Sequence, residues 1–175
     1  MLWEVIKFEV KYRLNRPATY IYFFIVLLLA YLAVGYPDII QFGGAVGKVK
    51  QNASSVLFNI AGIFSLIPCM FLASAVMGVP VLRDFEHKME SLIFTTNINK
   101  TSYLLGRFIG SFVILVIISS GFLWGTWFGC SKPWGDHSKY LEVGLGQYAK
   151  PWLYMIVFNM FTFSCLFFCY RRVNS

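Results

Sequence analysis

Hydrophobic positions in this chain form four long runs that contain no charged residue. The runs cover residues 17–37, 51–82, 108–131 and 151–170. Each is long enough to cross a hydrocarbon core of about 30 Å as a helix that rises about 1.5 Å per residue. The pattern predicts an all-α, polytopic membrane protein with about four transmembrane helices, at residues 18–35, 56–82, 103–130 and 152–170.

Ahead of the first run, residues 1–17 have helical periodicity with two apolar strips. Such a helix can lie in the plane of the membrane interface and turn its bases toward lipid headgroups. We therefore predict an N-terminal interfacial helix, with a transmembrane domain following at residues 18–175. A plain membrane-surface helix is the favoured interpretation, and docking on a partner is the alternative. The interfacial residues are Trp3, Lys7, Lys11 and Arg13.

The polar stretch between the second and third runs begins as an amphipathic helix. One side, projected from residue 82 to 93, carries Leu82, Phe85, Met89, Leu92 and Ile93. The opposite side carries two acids four residues apart, Glu86 and Glu90, which repel each other on a helix surface. An anionic leaflet would disfavour these acids, so the stretch favours a basic partner. A helix that rests on the inner leaflet is the competing interpretation.

Composition supports the membrane assignment. Of the 175 residues, 58% are hydrophobic and 13% are charged, with a mean hydropathy of +0.64. Soluble domains are about 45–50% apolar and about 25% charged, so this chain has too little polar surface for water. Because the spans use most of its length, we expect any catalytic domain to lie on another chain.

The basic residues predict the orientation. Of the 15 lysines and arginines, ten lie in the N-terminal segment, the connection between runs two and three, and the tail, whereas five lie in the other two connections. The positive-inside rule then places both termini in the cytoplasm. No extended basic stripe with interleaved aromatic residues is present, so nucleic acid is not an expected partner.

The chemistry of enzymes and cofactor proteins is missing from the pattern. The four runs contain no ionisable Asp, Glu, Lys, Arg or His, and both histidines lie between runs. Haem ligation and proton relays inside the membrane need such groups. A phosphate-binding loop of the Gly-x-x-x-x-Gly-Lys-Ser/Thr type is also lacking. We therefore predict that the chain is not an enzyme and has no cofactor or metal.

Proline and small residues predict how the helices break and pack. The second run is too long for a straight crossing, so it should tilt, kink or break near Pro68, where Ser65 and Asn59 could satisfy freed backbone groups. Small residues allow close helix contact. We expect four of them to be exposed on the isolated chain and to await a further subunit: Ala73, Gly78, Gly106 and Gly110. The triplet that begins at Asn52 matches a glycosylation acceptor, but so short a match arises by chance.

Two segments carry a resemblance to a known family. The first combines Gly-Val-Pro-Val-Leu-Arg-Asp-Phe-Glu at 78–86, Leu-Ile-Phe-Thr-Thr at 92–96 and Lys-Thr-Ser-Tyr-Leu-Leu-Gly-Arg-Phe at 100–108. The second is the opening Trp-Glu-x-x-Lys-Phe-Glu-x-Lys-Tyr at 3–12, with Arg-Pro-Ala at 16–18. Together they resemble type 2 ABC exporter permeases, especially the Bacteroidetes-type members that are often fused to a peptidase-like domain.

The resemblance implies a membrane subunit that couples to a separate ABC ATPase and pairs with a second permease unit, identical or different, in the bacterial inner membrane. It makes 83–93 the coupling helix and 3–14 the connecting helix beside it. Members usually have six spans, so a four-span chain is expected to be a truncated or partial unit. The alternative is a small structural or assembly membrane protein without transport activity. The ATPase-coupling residues are Arg83, Asp84, Phe85, Glu86, His87 and Glu90.

Overall fold

A computed structural model describes residues 2–36, 50, 52–86, 100–131 and 140–173. Within these ranges, residues 78–86, 100–102, 168 and 170–173 are described by their backbone alone. The described residues are 88% helix and contain no strand, which confirms the predicted all-α class.

Seven helices are present in the described ranges, with one π-helical segment between the last two. Three stretches are long and apolar enough to span a membrane: Pro17–Gly35, Ser54–Met77 and Tyr103–Cys130. They suggest a membrane protein, and the fourth predicted span, at 152–170, stays a prediction. The elements are α1 Leu2–Leu14, α2 Pro17–Gly35, α3 Ser54–Leu66, α4 Pro68–Glu86, α5 Lys100–Cys130, α6 Gly146–Pro151, the π segment Trp152–Val157, and α7 Phe158–Val173.

Prolines set three of the boundaries. Pro17 is at the start of α2, where its fixed φ suits a helix and no N–H is needed. Pro68 begins α4 directly after Ile67, so the second apolar run is divided into α3 and α4, as predicted. Pro151 ends α6, and the chain winds into the π segment immediately after it.

Helices α2 and α5 are in backbone contact along a line of glycines on α5. A Cβ atom at Gly121 would lie 2.8 Å from the carbonyl oxygen of Phe23, and one at Gly129 would lie 3.1 Å from that of Tyr31. A Cβ at Gly125 would collide with the carbonyl oxygen of Leu27. Later residues of α2 meet later residues of α5, so the two helices run in the same direction.

Two hydrogen bonds inside the bundle hold the C-terminal helical segment. Asn159 Nδ2 donates to Ser65 Oγ over 2.8 Å, and Trp152 Nε1 donates to Ser119 Oγ over 3.2 Å. Ser65 itself donates to the Gly62 carbonyl over 2.8 Å. The C-terminal segment is therefore fastened to both α3 and α5 by polar side chains, which have no water to bond inside a membrane.

The apolar side chains divide between a packed core and an exposed apolar outer surface. Large side chains on the outside include Phe24, Phe71 and Phe158, which are 61%, 72% and 68% exposed. Exposed apolar surface of this extent is expected where the solvent is lipid. The core is built mainly from α2, α3, α4, α5 and the C-terminal helical segment. It includes Ala30, Leu57, Ala61, Ala73, Met77, Ile114, Leu115, Ile118, Phe122, Ile156 and Met160.

Candidate functional site at the N-terminal end of the bundle

Helix α1 packs along the beginning of α5. A Cβ atom at Gly106 would lie 3.0 Å from the Cβ of Val5, and one at Gly110 would lie 2.9 Å from the Cβ of Glu9. Successive turns of α1 thus meet successive turns of α5, so these two helices run in the same direction. The α1 contacts lie on an earlier part of α5 than the α2 contacts. We define this region as the Arg13 end of the bundle.

The expectation that small residues would be exposed is wrong for three of the four positions. Gly106 and Gly110 are buried beneath the chain's own α1, and Ala73 is completely buried. Gly78 belongs to the part described by its backbone alone. The small-residue spacing indicated close helix contact correctly, but the covering helix comes from the same molecule.

The predicted interfacial residues lie on two different sides of α1. Trp3 is 64% exposed, and Lys7 and Lys11 are exposed as well. The Lys7 ammonium lies 5.6 Å from the centre of the Trp3 ring. Arg13 differs, because its side chain turns into the bundle and is only 11% exposed. The buried side of α1 is centred on Ile6 and Glu9, so it includes a carboxylate that periodicity alone would assign to solvent.

Glu9 is buried because Arg13 pairs with it. Arg13 Nε donates to Glu9 Oε1 over 2.7 Å, and the glutamate side chain is 3% exposed. The two residues are four positions apart on one helix with the acid first, which is the favourable order. A carboxylate removed from water needs such a partner, since an unpaired buried charge is very costly.

Arg13 also donates a hydrogen bond to the backbone of α4. Its Nη2 donates to the Val76 carbonyl oxygen over 3.0 Å. In an α-helix that carbonyl would accept from the N–H of residue 80, but residue 80 is proline and has no N–H. The arginine of α1 therefore supplies the donor that the sequence of α4 lacks.

A third helix joins at the same residue. Thr19 Oγ1, in the first turn of α2, donates to the Arg13 carbonyl oxygen over 2.7 Å. Arg13 thus connects α1, α2 and α4 through its side chain and its backbone. We call Glu9, Arg13, Thr19 and Val76 the Arg13 junction.

The junction lies close to the segment expected to couple to an ATPase. Helix α4 continues beyond Val76 to Glu86, so residues 83–86 extend the spanning helix without a break. Arg83, Asp84, Phe85 and Glu86 are described by their backbone alone, whereas His87 and Glu90 lie outside the described residues. The next described helix begins at Lys100. Helix α1 is therefore in contact with both helices that flank residues 87–99.

A second polar cluster lies at the opposite end of the bundle, which we call the Asn52 end. Asn52 is 1% exposed, and its Nδ2 donates to the Leu141 carbonyl oxygen over 2.6 Å. The Leu141 N–H donates back to Asn52 Oδ1 over 2.6 Å. Gln147 Nε2 donates to the Asn52 carbonyl over 3.1 Å. The glycosylation match at Asn52 is therefore an amide buried between the start of α3 and the residues before α6.

Two tyrosines complete the Asn52 end. Tyr148 accepts a bond of 3.2 Å from Asn52 Nδ2, and burial raises the pKa of its hydroxyl to about 12. Tyr140 donates to the Val34 carbonyl oxygen near the end of α2, over 3.3 Å. These bonds are neutral and connect loops to helix ends, which indicates a structural cluster.

Ligand chemistry is sparse in the described ranges. Among residues 2–36, 50, 52–86, 100–131 and 140–173, no group of three or more His, Cys, Asp or Glu could hold a metal ion. The Arg13 junction is our functional candidate, because it combines a buried ion pair with hydrogen bonds that connect α1, α2 and α4.

Sequence reasoning did not find the junction, although two of its signals are readable. Glu9 and Arg13 have the spacing of a helical ion pair, and Pro80 leaves a carbonyl without a donor. The contact between Arg13 and Val76 joins residues 63 positions apart and needs the fold.

Comparison of this chain with family models, with curated proteins and with solved structures finds no match.

Proposed function

We propose that this chain is a membrane-spanning permease subunit of an ABC-type transporter, which couples to a separate ATPase through the connection between α4 and α5. In this proposal the connection and both termini face the bacterial cytoplasm, and residues 152–170 form a fourth span. The chain hydrolyses nothing itself and works with a second permease unit. One observation carries the proposal: α1 is bonded to α4 and packed on α5, the two helices that flank the proposed docking segment.

The arrangement can transmit movement from the connection into the membrane. A helix that is continuous to Glu86 moves largely as one body, so a pull on residues 83–93 would act on α4. The Arg13 bond to Val76 passes that movement to α1, and the tight contacts at Gly106 and Gly110 pass it to α5. Coupling of this kind needs contiguous packed elements, which the Arg13 end of the bundle provides.

The docking surface in this proposal is formed by the coupling residues of the sequence analysis. The side with Phe85 supplies apolar contact, and Glu86 and Glu90 select a basic cleft on the ATPase. Charge pairs that are desolvated at such an interface have coupling energies from about 1.5 kcal/mol upward, whereas exposed pairs contribute less than about 1 kcal/mol. The acids should therefore decide which partner binds.

A charge-reversal experiment tests the proposal. The double variant Glu86→Lys/Glu90→Lys should insert into membranes normally but lose co-purification with the ATPase, detected by labelling with a photoreactive ATP analogue. The matched control Asp136→Lys/Glu142→Lys makes the same change of charge in the connection before α6 and should co-purify normally. Wild-type yield of the labelled ATPase with the first variant would reject the coupling assignment.

One observation favours the alternative of a small structural or assembly membrane protein. Gly106 and Gly110 are already covered by α1, so this face does not require another subunit. Under the alternative, the purified chain forms a stable monomer or closed oligomer in mild detergent, and no ATP-labelled protein accompanies it. Under the transporter proposal, the labelled ATPase is recovered with it from gently solubilised membranes.

A further inference from the structure

A small cleft opens beside the Arg13 junction, at the break between α1 and α2. Its volume is about 110 Å³, and residues of α1, α2, α4 and α5 line it. On the measure by which one buried water molecule needs about 10–15 Å³, the cleft has room for a group of several heavy atoms, such as a phosphate. The residues used below are Tyr12, Arg16, Ala18, Tyr22 and Ala75.

Among the described residues, the cleft carries one positive charge that no carboxylate balances. Glu9 and Arg13 also line it, but they neutralise each other through their 2.7 Å ion pair. Arg16 lies 4.6 Å from the centre of the Tyr12 ring and donates to the Tyr12 hydroxyl. No carboxylate among the described residues forms an ion pair with Arg16. Its guanidinium therefore keeps donors available for an anion.

The cleft is placed at the boundary between water and hydrocarbon. Arg16 is the last charged residue before the first apolar run, and α2 begins with Pro17 directly after it. The positive end of the α2 dipole thus faces the same region, and no side chain caps it. Beside these polar groups, Ala18 and Ala75 line the cleft with exposed apolar surface. The same few ångströms offer cationic donors and a hydrophobic surface.

We infer that this cleft binds the headgroup phosphate of an anionic phospholipid. The Arg16 guanidinium pairs with the phosphodiester, as arginine does with phosphate elsewhere. The Tyr12 and Tyr22 rings lie beside the glycerol, and the first acyl carbons lie against Ala18 and Ala75. This site does not depend on the proposed transport function.

Native mass spectrometry of the purified full-length chain tests the inference. The protein is reconstituted in nanodiscs of equal parts phosphatidylcholine and phosphatidylglycerol, and the phosphatidylglycerol retained on ejection is counted. Arg16→Gln should lower that retention about tenfold, because it removes charge-assisted hydrogen bonds to the phosphate. Lys11→Gln removes the same charge from the exposed side of α1 and should leave retention unchanged. Arg16→Lys should give an intermediate value.

Two further arms identify the source of the phosphate and protect against misfolding. Glycerol phosphate, which has the headgroup chemistry without acyl chains, should not displace the retained lipid at millimolar concentration. A photoreactive phosphatidylglycerol should label residues 12–22 of the wild-type chain, which requires no variant. Equal losses with Lys11→Gln, displacement by glycerol phosphate, or labelling elsewhere would each overturn the inference. No ATPase is involved, so the result is independent of the coupling experiment.

Discussion

The two ends of the bundle satisfy backbone groups by opposite means. At the Arg13 end, a charged side chain supplies the donor that Pro80 lacks, and a buried glutamate balances its charge. At the Asn52 end, a neutral amide both donates to and accepts from the backbone of Leu141. The two kinds of bond differ in the free energy that is lost when one partner is removed. Removing one partner of a buried ion pair costs about 3–5 kcal/mol, whereas a neutral buried group left unpaired costs about 1–3 kcal/mol.

The largest effect is expected from Arg13→Ala. This change leaves the buried Glu9 carboxylate without its ion-pair partner and the Val76 carbonyl without a donor. The free energy of unfolding should therefore fall by about 3–5 kcal/mol. Denaturation in mixed micelles measures it. Lys11→Ala, on the exposed side of the same helix, is the matched control and should change stability by less than about 0.5 kcal/mol. A small loss with Arg13→Ala would show that the ion pair is not a structural determinant.

A double-mutant cycle isolates the bond to α4. Pro80→Ala restores an N–H that can satisfy the Val76 carbonyl within the helix, so part of the role of Arg13 becomes redundant. The cost of Arg13→Ala should then be smaller by about 1–3 kcal/mol in the Pro80→Ala background. Strict additivity of the two changes would mean that the missing N–H of residue 80 is not what Arg13 compensates.

The glycines of α5 sharpen the comparison from one end to the other. At Gly125, toward the Asn52 end, an added methyl meets the backbone of Leu27, which cannot move alone. Overpacking of this kind costs about 3 kcal/mol. At Gly106 the methyl meets the Val5 side chain, so Gly106→Ala should cost less. Gly62→Ala, with nothing within 4 Å, is the control and should be neutral or stabilising by up to about 1 kcal/mol. Equal losses at the first two sites would contradict the contacts described.

Asn52→Ala tests the neutral cluster. The Leu141 N–H and carbonyl would lose their partner, and the expected decrease in stability is about 1–3 kcal/mol, below that of Arg13→Ala. Thermal unfolding of both variants in the same detergent gives the comparison. If Asn52→Ala lowers stability more than Arg13→Ala does, loss of the charged pair is not the costlier change in this bundle.

The smallest effect appears only in alkali. An unfolded tyrosine loses its proton near pH 10, whereas burial raises the pKa of Tyr148 to about 12. Stability from this group is complete below pH 10 and falls as the pH rises toward 12, because the unfolded state releases its proton first. Tyr148→Phe should make the alkaline decline of the melting temperature shallower. An unchanged profile would remove Tyr148 as its cause.

The sequence predicted those parts of the fold that depend on local pattern. The charge-free runs located α2, the α3–α4 pair and α5, because a membrane requires continuous apolar helices. The existence of α1 followed from periodicity, but its buried side did not, since hydrophobicity alone places Glu9 in water. Gly106 and Gly110 signalled close packing without saying which helix approaches. The donor for the Val76 carbonyl was out of reach, because it comes from another helix.

The order in which the contacts of α5 can form has a consequence for biosynthesis. The contact between Gly35 and Gly129 joins positions some 90 residues apart, which a ribosome takes roughly 5–20 s to synthesise. For that interval the first hydrophobic helix is in the bilayer without its glycine-lined neighbour. Glu9 and Arg13 need no such wait, because both belong to α1 and can neutralise each other as soon as it winds. We expect ribosome-arrested chains that end before residue 100 to integrate α2 but to leave a cysteine placed at Ile6 reactive. Chains long enough to expose the whole of α5 should protect that cysteine.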